Sequence, residues 1–310
     1  GNSLLRYQSG GILRDLSLND GNCPASNSRT LIEVDSPNLV TLRNNTISSG
    51  AVGIHVRDHT GEVKILFNEI LNNQDYAILV DSGSADSGRV SITANNILNN
   101  GAGNQLDCNS GGTADHNFWG EGEQPSDNVA NCVLTNGKHL GAPILSSYNG
   151  HGVQAVLSTV KSSFSYHFNN QIGVRHTTGS DYDLIIVNHG QGKPSNIPFF
   201  ESGSGDIVPC SNFFDIFLSN DADPKSLEVA LRYDLNQFCA DIMESDFYCG
   251  STSQTRVPMW WYDPVNNVTD GWDRTGQSPQ GSGGGGEQGQ ATSCNLEKNE
   301  IVLKIDNTGR

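Results

Sequence analysis

Val40-Thr41-Leu42-Arg43-Asn44-Asn45-Thr46-Ile47 opens a pattern that returns three times. It comes back as Val63-Lys64-Ile65-Leu66-Phe67-Asn68-Glu69-Ile70, as Val90-Ser91-Ile92-Thr93-Ala94-Asn95-Asn96-Ile97 and as Gly112-Thr113-Ala114-Asp115-His116-Asn117-Phe118-Trp119. Each unit has a small or apolar residue at its first and third positions, then Asn, any residue and an apolar residue. Asn45, Asn68, Asn95 and Asn117 follow one another at spacings of 23, 27 and 22 residues. A period of this size marks a solenoid: one repeat is one coil, which buries its face only by stacking on its neighbours.

The pairs Val40/Leu42, Val63/Ile65 and Val90/Ile92 alternate with Thr41, Lys64 and Ser91. Alternation with β-branched residues predicts short strands with one buried face. A second apolar pair follows in each coil, Ile54/Val56 around His55 and Ile78/Val80 around Leu79, with Leu106 after Gln105. At least two strands per coil are therefore expected, with the bend at the repeated Asn. Asn tolerates the left-handed conformation and bonds nearby backbone. Stacked coils would set Asn45, Asn68, Asn95 and Asn117 above one another, each amide bonding the next.

The Asn-x-Ile units and the closing Asp115-His116-Asn117-Phe118-Trp119-Gly120 resemble the right-handed parallel β-helix family, the pectin-lyase-like superfamily. The likeness covers roughly residues 1–135. Enzymes of that superfamily cut acidic polysaccharides along one solenoid face, with Asp residues holding calcium and an Arg or Lys as base. Aligning the second strands here sets Arg57, Asp81 and Asp107 in one outward column, with His55, Leu79 and Gln105 beside it. Two aspartates one coil apart, about 5 Å, would suit Ca²⁺ as hard oxygen ligands. The plainer expectation is an Arg57–Asp81 surface ion pair worth under about 1 kcal/mol.

The net charge of −16 argues against nucleic acid, which selects a basic footprint, and against an anionic membrane surface. No apolar run reaches the length of a membrane span. Both ends fall in or beside strand-like sequence, so the chain reads as a segment of a longer polypeptide. The seven cysteines lack C-x-x-C or Cys/His metal spacing. In a chain rich in Asn, Gly and Ser they read as secreted and disulfide-bonded. The expected pairs are Cys108–Cys132 around the last coil, Cys239–Cys249 within one insert and Cys210–Cys294, leaving Cys23 over; buried reduced thiols are the alternative.

In chain order, residues 3–34 read as one more coil with a polar loop at Asn19–Arg29, and Glu121–Gly141 as a cap over the closing coil. There Trp119 packs rather than offering a sugar platform. A boundary is expected near Gly141-Ala142-Pro143. Beyond it, strand candidates appear at Ile172–Val174, Asp183–Val187, Phe213–Leu218, Leu227–Leu231, Met259–Tyr262 and Glu300–Ile305. Irregular strands separated by turns suggest an antiparallel sandwich. Leu231-Arg232-Tyr233-Asp234 and Trp260-Trp261-Tyr262-Asp263-Pro264 resemble Ig-like β-sandwich modules of bacterial surface proteins. Phe238–Gly250 and the Gly/Ser/Gln run Thr275–Gln290 read as inserts. The expected fold is all-β: a parallel β-helix over 1–141 and a sandwich over 142–310.

No catalytic set emerges. Asp221-Ala222-Asp223 and Asp181-Tyr182-Asp183 fit no EF-hand, Gly190-Gln191-Gly192-Lys193 is no phosphate loop, and no Ser-His-Asp order stands out. Asn44-Asn45-Thr46 and Asn267-Val268-Thr269 are glycosylation sequons. The expectation is an extracellular structural or adhesive protein of a cell surface or filament, with no cofactor or metal beyond a possible Ca²⁺. It would associate with itself or with other surface components. The alternatives are a polysaccharide lyase or glycoside hydrolase working on the solenoid face, or carbohydrate binding without cleavage.

Overall fold

The computed structural model describes residues 3–21, 29–57, 61–81, 90–101, 103–109, 112–120, 123–134, 140, 144, 153–190, 212–218, 227–232, 260–262, 272–274, 290–295 and 300–305. The chain divides into two compact units, 1–155 and 156–310. In the first, each coil carries three strands. The first coil has β1 (Ser3–Tyr7), β2 (Gly11–Arg14) and β3 (Ser17–Asn19). The second has β4 (Thr30–Val34), β5 (Val40–Arg43) and β6 (Thr46–Ser48), and the third β7 (Val52–Val56), β8 (Val63–Leu66) and β9 (Glu69–Leu71). The fourth has β10 (Tyr76–Val80), β11 (Val90–Thr93) and β12 (Asn96–Leu98). A reduced closing turn adds β13 (Leu106–Asp107), β14 (Thr113–Asp115), the one-turn helix α1 (Pro125–Asn128) and β15 (Val129–Ala130). Leu31-Ile32-Glu33-Val34 thus opens the second coil instead of closing the first.

The strands stack as three parallel sheets, in the orders β1-β4-β7-β10-β13-β15, β2-β5-β8-β11-β14 and β3-β6-β9-β12. Register fixes the core, because alternate residues point inward. Leu5, Ile32, Ile54, Ile78 and Leu106 form one column. Leu42, Ile65, Ile92 and Ala114 form another, and Leu18, Ile47, Ile70 and Ile97 a third. From the second coil on these side chains are fully or almost fully buried. Each contributes about 1.5–3 kcal/mol over its exposed state. In the first coil Leu5, Leu13 and Leu18 remain half-buried. At the other end Trp119 packs against the core, and the Cys108–Cys132 disulfide forms.

The Asn ladder runs between the second and third sheets. Asn45 Nδ2 donates to Asn68 Oδ1 at 2.9 Å, Asn68 to Asn95 at 3.0 Å and Asn95 to Asn117 at 3.0 Å. Nδ2 of Asn45, Asn68, Asn95 and Asn117 also donates to a carbonyl further back, of Leu13, Leu42, Ile65 and Ile92 in turn. Leu16 holds the corresponding slot of the first coil, where its backbone N–H donates to Asn45 Oδ1. The bend itself corrects one expectation. The left-handed residue is the one before each ladder position, Leu16 included: Asp15, Asn44, Phe67, Ala94 and His116, with φ between 53° and 59°. The ladder Asn is kept for its side-chain amide; the strain falls on a neighbour of almost any type, at roughly 1 kcal/mol each.

A second ladder lies between the third and first sheets. Gly50 N–H donates to Asn73 Oδ1, Asn73 Nδ2 to Asn100 Oδ1 at 2.8 Å, Asn100 Nδ2 to Gln105 Oε1, and Gln105 Nε2 to Asn128 Oδ1 at 2.7 Å. Here too the preceding residues, Ser49, Asn72 and Asn99, are left-handed. Gly50 fills the top slot because a Cβ there would lie 2.6 Å from Leu31 Cγ and 2.9 Å from the Arg29 carbonyl.

The second unit is antiparallel. One sheet orders β16 (Gln154–Val160), β19 (Tyr182–Asn188) and β20 (Phe214–Leu218). The other orders β17 (Ser165–His167), β18 (Ile172–Arg175), β21 (Leu227–Arg232), β25 (Glu300–Ile305) and β24 (Gln290–Asn295). A further pair joins β22 (Trp260–Tyr262) to β23 (Trp272–Arg274). Val160, Leu184 and Ile186 from one sheet meet Ile172, Val174, Leu227 and Val229 from the other in a single core, which makes a sandwich. Strands β16, β17, β23 and β24 had no counterpart among the sequence candidates. The proposed bonds Cys239–Cys249 and Cys210–Cys294, the spare Cys23 and the insert Phe238–Gly250 lie outside the described residues, apart from the backbone of Cys294 in β24.

Candidate functional site

The outer face of the first solenoid sheet gathers most of the charge that the sequence singled out. Inward Val34, Val56 and Val80 leave Glu33, Asp35, His55, Arg57 and Asp81 outward by alternation. Register sets Arg6, Glu33, His55, Leu79 and Asp107 in one row. Asp35, Arg57 and Asp81 follow Val34, Val56 and Val80 and form the row beside it. Two placements expected from the sequence are thereby corrected. Asp107 pairs with Leu79, so it stands in the His55 row and not above Asp81. Gln105 is buried in the second amide ladder and does not line the outer face.

The rest form a linked network. His55 Nε2 lies 2.9 Å from Asp81 Oδ1, and Arg57 Nε lies 3.5 Å from Asp81 Oδ2. Arg57 Nη1 reaches Glu33 Oε1 at 3.6 Å, and Arg6 Nε reaches the same oxygen at 3.3 Å. Arg6 continues to Asp35, which also accepts from Gln8 Nε2. The hydrogen bond from Arg6, with that from Gln8, holds the Asp35 carboxyl below the usual carboxylate range, and Asp35 raises Arg6 in turn. Glu33 is the anchor: its side chain is 5% exposed and flanked by both guanidinium groups. A carboxylate this far from water needs such partners, because an unpaired buried charge is costly. Asp107, one coil further, accepts from Asn109 N–H and Asn131 Nδ2 and takes no part.

Chemically, the network binds its own charges. Among the described residues no three His, Cys, Asp or Glu side chains gather into a metal-ligand set. Sequence reasoning found Arg57, Asp81 and His55 but not Arg6, Glu33 or Asp35. The register of the first two coils was the missing information, and the alternation Arg6–Gln8 and Glu33–Asp35 was the available signal.

The sandwich unit carries a second charged cluster. Arg175 brings Nε and Nη2 each to 2.6 Å from one oxygen, Oε2, of Glu228, and lies over the Phe164 ring. Arg232 pairs with Glu300 at 3.2 Å and lies over Tyr166, whose hydroxyl donates to Glu300 at 2.9 Å. Burial, then that carboxylate, pushes the Tyr166 pKa up. The ring covers Gly173, where a Cβ would sit 2.6 Å from Tyr166 Cε1. Arg232 and Gly173 both pack against the Tyr166 ring, so the cluster ties β17, β18, β21 and β25 together. Comparison with protein-family models, with curated proteins and with solved structures gives no match.

Proposed function

We propose that the chain is an extracellular structural or adhesive element, in which a capped parallel solenoid and a β-sandwich serve as a rigid rod and module of a cell-surface or filament assembly. The observation that carries the reading is the saturation of the solenoid face: Asp35, Arg6, Glu33, Arg57, Asp81 and His55 are spent on one another. The Cys108–Cys132 bond supports an oxidising location. The partners would be further copies or other surface components. The solenoid is assigned to the pectin-lyase-like architecture and the sandwich to the Ig-like surface modules on sequence pattern. An activity screen on acidic polysaccharides, with Ca²⁺ and with chelator, tests the reading; turnover lost on Arg57→Ala would overturn it. One observation favours the second reading, polysaccharide cleavage or binding: imidazole, guanidinium and carboxylate converge at Asp81 on an open sheet.

A further inference from the structure

We infer that Asn44 is an N-glycosylation site, taking an oligosaccharide through its side-chain amide. The inference holds whether the solenoid face binds, cleaves or does neither.

The sequon Asn44-Asn45-Thr46 places two asparagines side by side, and the fold gives them opposite environments. Asn45 is 1% exposed and locked in the amide ladder at both ends. Asn44, the residue that the sequon marks as acceptor, is exposed and left-handed at φ 53° on the outer corner between the second and third sheets. A glycan on Asn45 would break the ladder; one on Asn44 projects into solvent and leaves every stacked row intact. Thr46, two residues on, starts β6 at the surface with its hydroxyl-bearing side chain half-buried. The corner is separate from the first sheet, so a sugar chain there leaves the Arg57–Asp81 network open. An independent observation points to the compartment in which such transfer takes place, namely the Cys108–Cys132 bond.

The step needs one co-reactant, an oligosaccharide carried on a lipid diphosphate. Asn44 Nδ2 forms a bond to the anomeric carbon. The bond from that carbon to the diphosphate oxygen breaks, the lipid diphosphate leaves, and the nitrogen loses one proton to the transferase. No oxidation or reduction occurs. Transfer precedes folding, and the exposed corner lets the modified chain close its coils.

The test is expression of the full chain through a secretory host, followed by glycopeptide mass spectrometry before and after amidase release of N-glycans in ¹⁸O water. The expected result is a glycan on the Asn44 peptide, replaced on release by ¹⁸O-labelled Asp, and lost in both Asn44→Asp and Thr46→Val. Asn44→Asp keeps a side chain that tolerates the left-handed turn, and Thr46→Val keeps a β-branched strand residue, so neither loss is a folding failure. An unmodified Asn44 peptide in protein secreted by a host that glycosylates its own sequons would overturn the inference. A glycan on this peptide that survives Asn44→Asp would overturn it equally, because it would sit on another residue.

Discussion

Asn68 donates a side-chain N–H to Oδ1 of Asn95 at 3.0 Å, and that same oxygen accepts the Asn68 backbone N–H at 2.9 Å. One buried carboxamide therefore satisfies two donors of the coil before it, while its nitrogen satisfies the Ile65 carbonyl at 2.8 Å. Asn95→Ala takes the named partner from the Asn68 backbone N–H and the Ile65 carbonyl, while Asn68 Nδ2 keeps the Leu42 and Leu66 carbonyls. Buried unpaired polar groups cost about 1–3 kcal/mol each, so the substitution is expected to lower the unfolding free energy by about 3 kcal/mol or more. Asn44→Ala, at the exposed left-handed neighbour, is expected to cost roughly 1 kcal/mol. Urea titrations of both variants check this; equal losses would refute the ladder's role.

Gly50→Ala probes the second ladder. Its methyl group meets Leu31 Cγ and the Arg29 carbonyl, and backbone cannot step aside cheaply. The expected loss is about 1–3 kcal/mol, read from the denaturation midpoint. A neutral substitution would show that the coil has room at that slot.

The closing turn depends on Cys108–Cys132, a bond spanning 24 residues. Reduction or a Cys108→Ser/Cys132→Ser double variant is expected to cost about 3 kcal/mol. Limited proteolysis should then cut the closing turn before the coils between β4 and β12. Early cutting inside those coils would mean that the bond does not guard the end.

Glu33 is tied to Arg6 and Arg57. Arg6→Ala with Arg57→Ala leaves a nearly buried carboxylate without either partner, a change expected to exceed the sum of the two single losses. A double-mutant cycle by thermal unfolding measures that excess, and strict additivity would dissolve the network into independent surface pairs.

Acid stability follows from His167 and Asp35. Burial lowers the His167 pKa, and its Nε2 lies 2.8 Å from Ser158 Oγ. The unfolded chain takes up a proton at about 6.5 while the folded chain resists it. Stability is therefore lost as pH falls from about 6.5 towards the folded value, and His167→Gln should remove that part of the slope. Asp35 acts lower: its folded pKa is depressed by Arg6, so its contribution stands above the ordinary carboxylate range and disappears as pH falls through the folded value. Denaturant midpoints against pH, wild type minus variant, separate the two; a His167→Gln slope equal to wild type would contradict the first.

The columns of the core and the first ladder were legible because their spacing is written directly as Val-x-Ile and Asn-x-Ile. The second ladder was also written, with Asn73 and Asn100 each five residues after Asn68 and Asn95. It was hidden by Gly50 and Gln105, which fill the slots with unlike side chains. The candidate column was half legible. Arg57 and Asp81 follow from a regular coil length, but Asp107 aligns with Leu79, two residues short of the Asp81 position, which only strand register reveals. The sandwich strand Gln154–Val160 escaped because its sequence, Gln-Ala-Val-Leu-Ser-Thr-Val, is only partly buried and shows weak alternation.

The most direct test of the stacked-coil account is native-state hydrogen exchange at the backbone amides of Asn45, Asn68 and Asn95. Each is bonded to a side-chain oxygen of the next coil, at 3.1, 2.9 and 3.0 Å. The account predicts that these three turn amides exchange only with global unfolding of the solenoid, as core strand amides do, and that Asn117→Ala selectively releases Asn95. Exchange of all three at the rate of open turns, unchanged by Asn117→Ala, would contradict it.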